Sequence, residues 1–279
     1  MITIKEALTK KEMKDYVMFS FELYKNNPYW IPPIIAEELE TFDKTKNPAL
    51  QTAEAHFYLA YKNNKIVGKI AAIINWEEVN LLGKRKARFG WFDAIDDIEV
   101  TKALLNKVEE LGRKHNMDHM EGPMGFSNLD KVGILSEGFD QMGNMITWYS
   151  LPYYITHFEQ LGFTKEKEYI ESDFSFNNIN PEPFQKASAL IKKRYELRSL
   201  NFTKTKDIMP YVDKMFDLFN ETYAKLQSFV PINDIQKEYF KKKYIGFINP
   251  EFIKFIVDKN DNMIAFAIVM PGFAQALKK

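Results

Sequence analysis

Residues 85–128 constrain this chain more than any other stretch. RKARFGWFDAID runs into DIEVTKALLNKVEELGRKHN and out through MDHMEGPMGFSN. Phe89, Trp91, Ala94 and Ile95 form an aromatic-rich run of strand length. Val100, Leu104, Val108 and Leu111 then recur at helical spacing, with Asp96 or Asp97 placed to cap the start. The pattern predicts strand, helix and second strand. In such a unit, ligands gather beyond the carboxyl end of the strand and near the helix N-terminus, so its three aspartates, 93, 96 and 97, need explaining first.

The flanking segments supply the rest of a sheet. Ile2 and Ile4 alternate with polar neighbours as a short strand, and Thr9 to Glu12 has capping-box spacing ahead of a helix that buries Met13, Val17, Phe21 and Tyr24. NNPYWIPP follows, where three prolines forbid a continuous helix and make a packed corner. His56–Lys62 and Lys65–Asn75, joined at Asn63-Asn64, read as a β-hairpin. Residues 122–143 hold five glycines and little periodicity, a loop that is functional or mobile. Thr147–Leu161 reads as a helix closed by Gly162, Phe163–Phe176 as two closing strands, and NNINPEP as the start of a linker.

The first elements recur. Tyr16-Val17 and Phe21-Glu22-Leu23-Tyr24 match Tyr211-Val212 and Phe216-Asp217-Leu218-Phe219, and the hairpin at 57–72 matches 254–269 at almost the same offset. The second copy runs from a strand near Tyr195 through helices at Asp207–Gln227 and Asp234–Tyr244 to its hairpin. The expected organisation is a complete domain over 1–176, a linker over 177–194, and the N-terminal half of a second domain over 195–279. A half-sheet leaves an open edge and an apolar face. The chain is therefore expected to be a fragment of a longer protein, with a missing C-terminal half or a partner chain covering that face.

Composition excludes several classes. Among 279 residues, lysine plus arginine and aspartate plus glutamate stand at 38 each, so no global field favours nucleic acid or an anionic membrane. There is no cysteine, which removes disulfides, thiolate metal sites and a cysteine nucleophile. The first residues lack an apolar signal core, and the longest apolar runs are too short to span a bilayer. These features predict a cytoplasmic protein that binds neither nucleic acid nor membrane. Asp93, Asp96, Asp97 and Glu121 offer oxygen ligands that suit a divalent cation, but caps and edge charges account for them better and no metal is assigned.

The order of elements resembles the GNAT N-acetyltransferase superfamily. HFEQLGF at 157–163 is similar to the Y-E-K-L-G-F end of that fold's last helix, and NPYWIPP and RFGWFD are similar to segments of bacterial tandem GNAT-like proteins. The resemblance implies an α/β (α+β) fold with a mixed, mostly antiparallel sheet flanked by helices, as one complete copy plus a partial second one. It implies an acyl-CoA-dependent N-acyltransferase using acetyl-CoA or another acyl-CoA and a small-molecule amine, with direct attack of the amine on the thioester. Two departures accompany it. The superfamily holds the CoA diphosphate with an R/Q-x-x-G-x-G/A loop at the central helix, whereas DAIDDIEVTKAL has no glycine. Phe158 stands where many members carry a tyrosine acid and cannot donate a proton. The first copy is thus expected to have lost its cofactor motif, with the working loop in the rest of the second. Trp91, Asp93, Glu121, Asn128 and Tyr154 are the candidate cleft residues near the junction of the copies, and no catalytic base is assigned. The alternative is a non-catalytic GNAT-fold binding or scaffolding module.

Overall fold

A computed structural model describes residues 1–127, 129–226 and 229–279. The chain divides into two compact units, the first built on Met1–Thr164 and the second on Lys165–Leu226 and Pro231–Pro271. Among the described residues, no helix is long and apolar enough to cross a membrane.

In the first unit, β1 (Ile2–Glu6), β2 (Ala53–Lys62), β3 (Lys65–Asn75), β4 (Lys86–Ala94) and β5 (His119–Glu121) form one sheet in that order. The first three pairings are antiparallel, and β4–β5 is parallel. The β2–β3 turn places Asn63 and Asn64 both at positive φ, the geometry that matches strand twist and that asparagine tolerates. α1 (Lys10–Leu23) starts with the expected capping box at Thr9 and Glu12. α2 (Ile35–Thr41), α3 (Ala49–Thr52) and α4 (Trp76–Leu82) are short connectors. α5 (Ile98–Lys114) is the central helix, and α6 (Tyr153–Gln160) follows the glycine-rich loop.

β3 shows why its sequence reads as one apolar run. Ala71 and Ile73 point to one face and pack with Tyr16 and Val17 of α1, Phe42 and Trp91. Ile70, Ala72 and Ile74 point to the other and pack with Val100, Leu104 and Val108 of α5 and Tyr154 and Phe158 of α6. A strand covered on both sides needs no polar alternation.

α7 (Glu182–Tyr195) precedes a second sheet in which β6 (Arg198–Asn201), β7 (Ile253–Val257) and β8 (Met263–Ile268) pair antiparallel in that order. α8 (Thr205–Tyr223) buries Ile208, Val212, Met215 and Phe216 with Ile253 and Phe255, and α9 (Asp234–Phe240) follows it. Strand, helices and hairpin thus repeat the β1-α1-α2-β2-β3 order, and Val212 is buried as Val17 is.

Three local expectations differ from the structure. α6 begins at Tyr153, not at 147: Pro152 occupies its N-cap, and a proline disfavours helical backbone in the residue before it. Asn144 Oδ1 instead closes a turn, accepting from the N–H groups of Ile146 and Thr147 at 2.8 and 2.9 Å. Phe163–Ser175 forms no strand. Its charged start KEKE finds no partner edge, and residues 164–175 are exposed or nearly so. The linker-like segment holds α7, because Pro181 and Pro183 fall in the first turn, where proline's missing N–H costs nothing. The expected end of the α8 helix, Gln227, lies outside the described residues.

Candidate functional site

The site is built on a break in β4. Lys69 pairs with Asp93 and Ala71 with Gly90, so Trp91 and Phe92 together oppose Ile70 alone. That extra residue is a β-bulge, and Trp91 carries it at φ 46°, left-handed backbone that a bulky side chain rarely adopts. The consequence is a change of facing: Phe89 packs on the α5 side, whereas Trp91 packs on the α1 side. Asp93 follows Trp91 onto that side. Gly90 is required here, since a Cβ on it would lie 2.2 Å from the carbonyl oxygen of Met124 in the crossing loop.

A cavity of about 50 Å³ lies against the bulge. Asp93 is its anionic centre. Ser20 Oγ donates to Oδ2 at 2.7 Å, Tyr24 OH to Oδ1 at 2.8 Å and Tyr154 OH to Oδ1 at 3.2 Å. Lys69 Nζ stands 3.6 Å from Oδ2 and 5.0 Å from the ring centre of Tyr16. Tyr154 also accepts the Ala94 N–H at 2.9 Å, and Tyr153 donates to the Ala94 carbonyl at 2.7 Å, so α6 pins the end of β4. Burial, then the Asp93 charge, raises the phenols of Tyr24 and Tyr154 well above the ordinary tyrosine value. They remain donors throughout physiological pH. Trp30 stacks on Tyr24 at 5.2 Å, and Glu38, Lys131, Trp148 and Tyr149 complete the wall with Trp91.

The structure brings three of the five sequence-selected residues together: Trp91, Asp93 and Tyr154 all line this cavity. Glu121 sits elsewhere. It joins Lys86, which also pairs with Glu78 at 3.0 Å, while Arg88 Nε reaches Glu78 at 2.9 Å and its Nη1 donates to the Gly125 carbonyl at 3.1 Å. This buried network anchors the start of the glycine-rich loop. Asn128 lies outside the described residues. Sequence reasoning did not select Ser20, Tyr24, Trp30, Lys69 or Lys131. Lys69 had a visible signal, a lone charge inside the apolar run KIVGKIAAII, since a lysine is almost never buried unpaired.

The N-terminus of α5 is where a donor diphosphate would be tested. Asp97 caps it: Oδ1 accepts the Glu99 N–H at 3.1 Å, and its carbonyl takes the N–H groups of Val100 and Thr101 at 3.0 and 3.3 Å. Its Oδ2 pairs with Lys62 at 2.7 Å, and that hydrogen bond holds the carboxyl below the usual aspartate range. Asp96 Oδ1 lies 3.2 Å from His157 Nε2, whose Nδ1 meets Thr101 Oγ1 at 2.9 Å. The N–H groups of Glu99, Val100 and Thr101 are already used and two carboxylates stand beside them, so these residues do not fit a diphosphate. Phe158 is buried among Phe89, Phe92 and Phe163 and offers no proton. Asp93 is not part of this helix end; the bulge turns it to the opposite side of the sheet.

Sheet order, helix placement and the repeated half define the class: this is the GNAT acyl-CoA N-acyltransferase fold, a mixed five-stranded sheet flanked by helices followed by a three-stranded unit that repeats its first elements. Among solved structures it is similar to a tandem GNAT protein from the clavulanic acid biosynthesis pathway, solved without AcCoA, with TM-score 0.50 and 10% identity over 97% of this chain and 76% of that one. No family model matches. In sequence, the chain is 26% identical over 275 residues to Protein YghO of Escherichia coli (strain K12), covering 98% of this chain and 69% of the relative. It is 23% identical over 249 residues to the bacterial ceramide synthase of Caulobacter vibrioides (strain NA1000 / CB15N), covering 88% of this chain and 64% of the relative. The chain thus spans about two thirds of the length of these two relatives.

Proposed function

We propose that the protein takes part in N-acyl transfer from an acyl-CoA to an amine, and that the first unit holds the acceptor. The observation that carries this reading is the aromatic-walled polar cavity at the β4 bulge, set in an N-acyltransferase fold. A carboxylate fixed by three hydroxyls, with indole and phenol faces around it, suits an amine or its ammonium. The relative named bacterial ceramide synthase supports the reaction type: a ceramide is the amide of a long-chain amino alcohol, so its synthesis can close an N–C bond to an acyl group. The capped end of α5 gives a donor diphosphate no seat in the first unit. The reading assigns donor binding to the second copy.

The test is product analysis. Full-length protein is incubated with acetyl-CoA or a long-chain acyl-CoA and, in parallel, ethanolamine, a polyamine and a long-chain amino alcohol. An amide together with one equivalent of free thiol is the expected result, and neither product with any pair overturns the reading. The helix end that refuses a diphosphate favours one other reading, a binding module without chemistry. Calorimetry separates the two: acyl-CoA binding by the full-length protein supports transfer, and amine binding without acyl-CoA binding supports the module.

A further inference from the structure

The glycine-rich loop contributes one group to which the account above gives no task. Lys131 lines the cavity, and no described residue lies within hydrogen-bonding or ion-pair distance of its Nζ. Gly133, at φ 81°, and its N–H bond of 2.7 Å to the Pro123 carbonyl fold the loop back so that Lys131, Gly133 and Ile134 all reach the wall. The charged and titratable groups lining the cavity with it are Glu38 from α2, Lys69 from β3, Asp93 from β4, Tyr24 from α1, Tyr154 from α6 and Tyr149 from the loop before α6. Burial pushes the Lys131 ammonium below the ordinary lysine value and Lys69 adds to this, whereas Glu38 and Asp93 act in the opposite sense. A half-buried lysine lining a cavity, with no partner among the described residues, is suited to work as a neutral base.

Charge balance sharpens this. Glu38 and Asp93 supply two negative charges, and Lys69 supplies one positive charge. One further positive charge neutralises the cavity. An entering ammonium brings it if Lys131 is uncharged, and three cations face two carboxylates if Lys131 is charged. Passing the proton from ligand nitrogen to Nζ leaves the total unchanged, so the step adds no buried charge.

We infer that Lys131 is the base that takes the proton of an amine substrate in this cavity. The ligand's N–H bond breaks, its electron pair stays on the ligand nitrogen as the lone pair an acyl acceptor needs, and the proton forms a new N–H bond on Nζ. The inference rests on the N-acyl transfer reading, and its test separates the two.

The full-length protein is dimethylated on lysine with 13C-formaldehyde, and the Lys131 signal is assigned by its loss in Lys131→Arg. Its titration midpoint is expected at least about one pH unit below those of the other lysines; a midpoint at or above theirs overturns the inference. In transfer assays, Lys131→Met is expected to lower kcat/KM at pH 7 by about 10²- to 10⁴-fold. The residual rate should rise about tenfold per pH unit as free amine accumulates, and Lys131→Arg should not restore it. An unchanged rate and pH profile in Lys131→Met, with unchanged thermal unfolding, overturns the base while the transfer reading stands. No transfer by the wild-type protein overturns both.

Discussion

At the residue scale, charges in the first unit are held by neighbours far apart in sequence. Glu54 in β2 meets His56 Nε2 at 3.2 Å, Lys114 Nζ at 3.1 Å and His115 Nε2 at 2.9 Å. Partial burial pushes its carboxyl up, but hydrogen bonds from His56, Lys114 and His115 outweigh this and hold it at about 2. A carboxyl whose folded value lies below its unfolded value of about 4.3 stabilises the fold above that unfolded value, and the gain disappears as pH falls through the folded one. Glu54→Gln is therefore expected to cost about 1–2 kcal/mol at pH 6, after allowance for solvent screening. The gap to wild type should close between about pH 4.3 and pH 2, and urea unfolding at a series of pH values reads it. A gap that stays constant to pH 2 contradicts the assignment.

At the element scale, α5 is tied to β2 at both ends, by Lys62 to Asp97 at its start and by Lys114 and His115 to Glu54 at its finish. The same Asp97 that secures the helix closes it to anions. Asp97→Ala should destabilise the protein by about 1–2 kcal/mol through loss of the cap, measured by denaturant unfolding. The bulge is the second element-scale device, because it puts Trp91 and Asp93 on the α1 side while Phe89, Phe92 and Ala94 stay with α5. Neither device needs the other, so the polar cavity at the bulge does not depend on how the helix end is capped.

At the scale of the whole molecule, protection is expected to follow burial. The amides of β3 and β4, covered on both faces, should exchange slowest in a hydrogen-exchange experiment, and those of Lys165–Ser175 should exchange among the fastest. Equal protection of 165–175 and β3 would contradict this.

Local order alone determined much of the molecule. The alternation in β1, the 3.6-residue period of α5, the capping box at Thr9, the Asn63-Asn64 turn and the repeat of Tyr16-Val17 at Tyr211-Val212 were legible because each is fixed by residues close in the chain. The missing glycines before α5 and the phenylalanine at 158 were legible for the same reason. The closing strands were not, because a strand needs a partner edge and sequence shows only propensity. The cavity was half legible: Trp91 and Asp93 lie within the constraining segment and Tyr154 on the last helix of the first unit. Ser20, Tyr24, Lys69 and Lys131 come from α1, β3 and a loop, and only tertiary packing gathers them around the cavity that Asp93 lines. Residues 85–128 form the architectural centre of the first unit, and the polar cavity lies at their strand bulge and not at the helix end. Sequence could not decide that placement: which side of the sheet Asp93 faces depends on one extra residue in the β3–β4 register, and register is set by packing across strands.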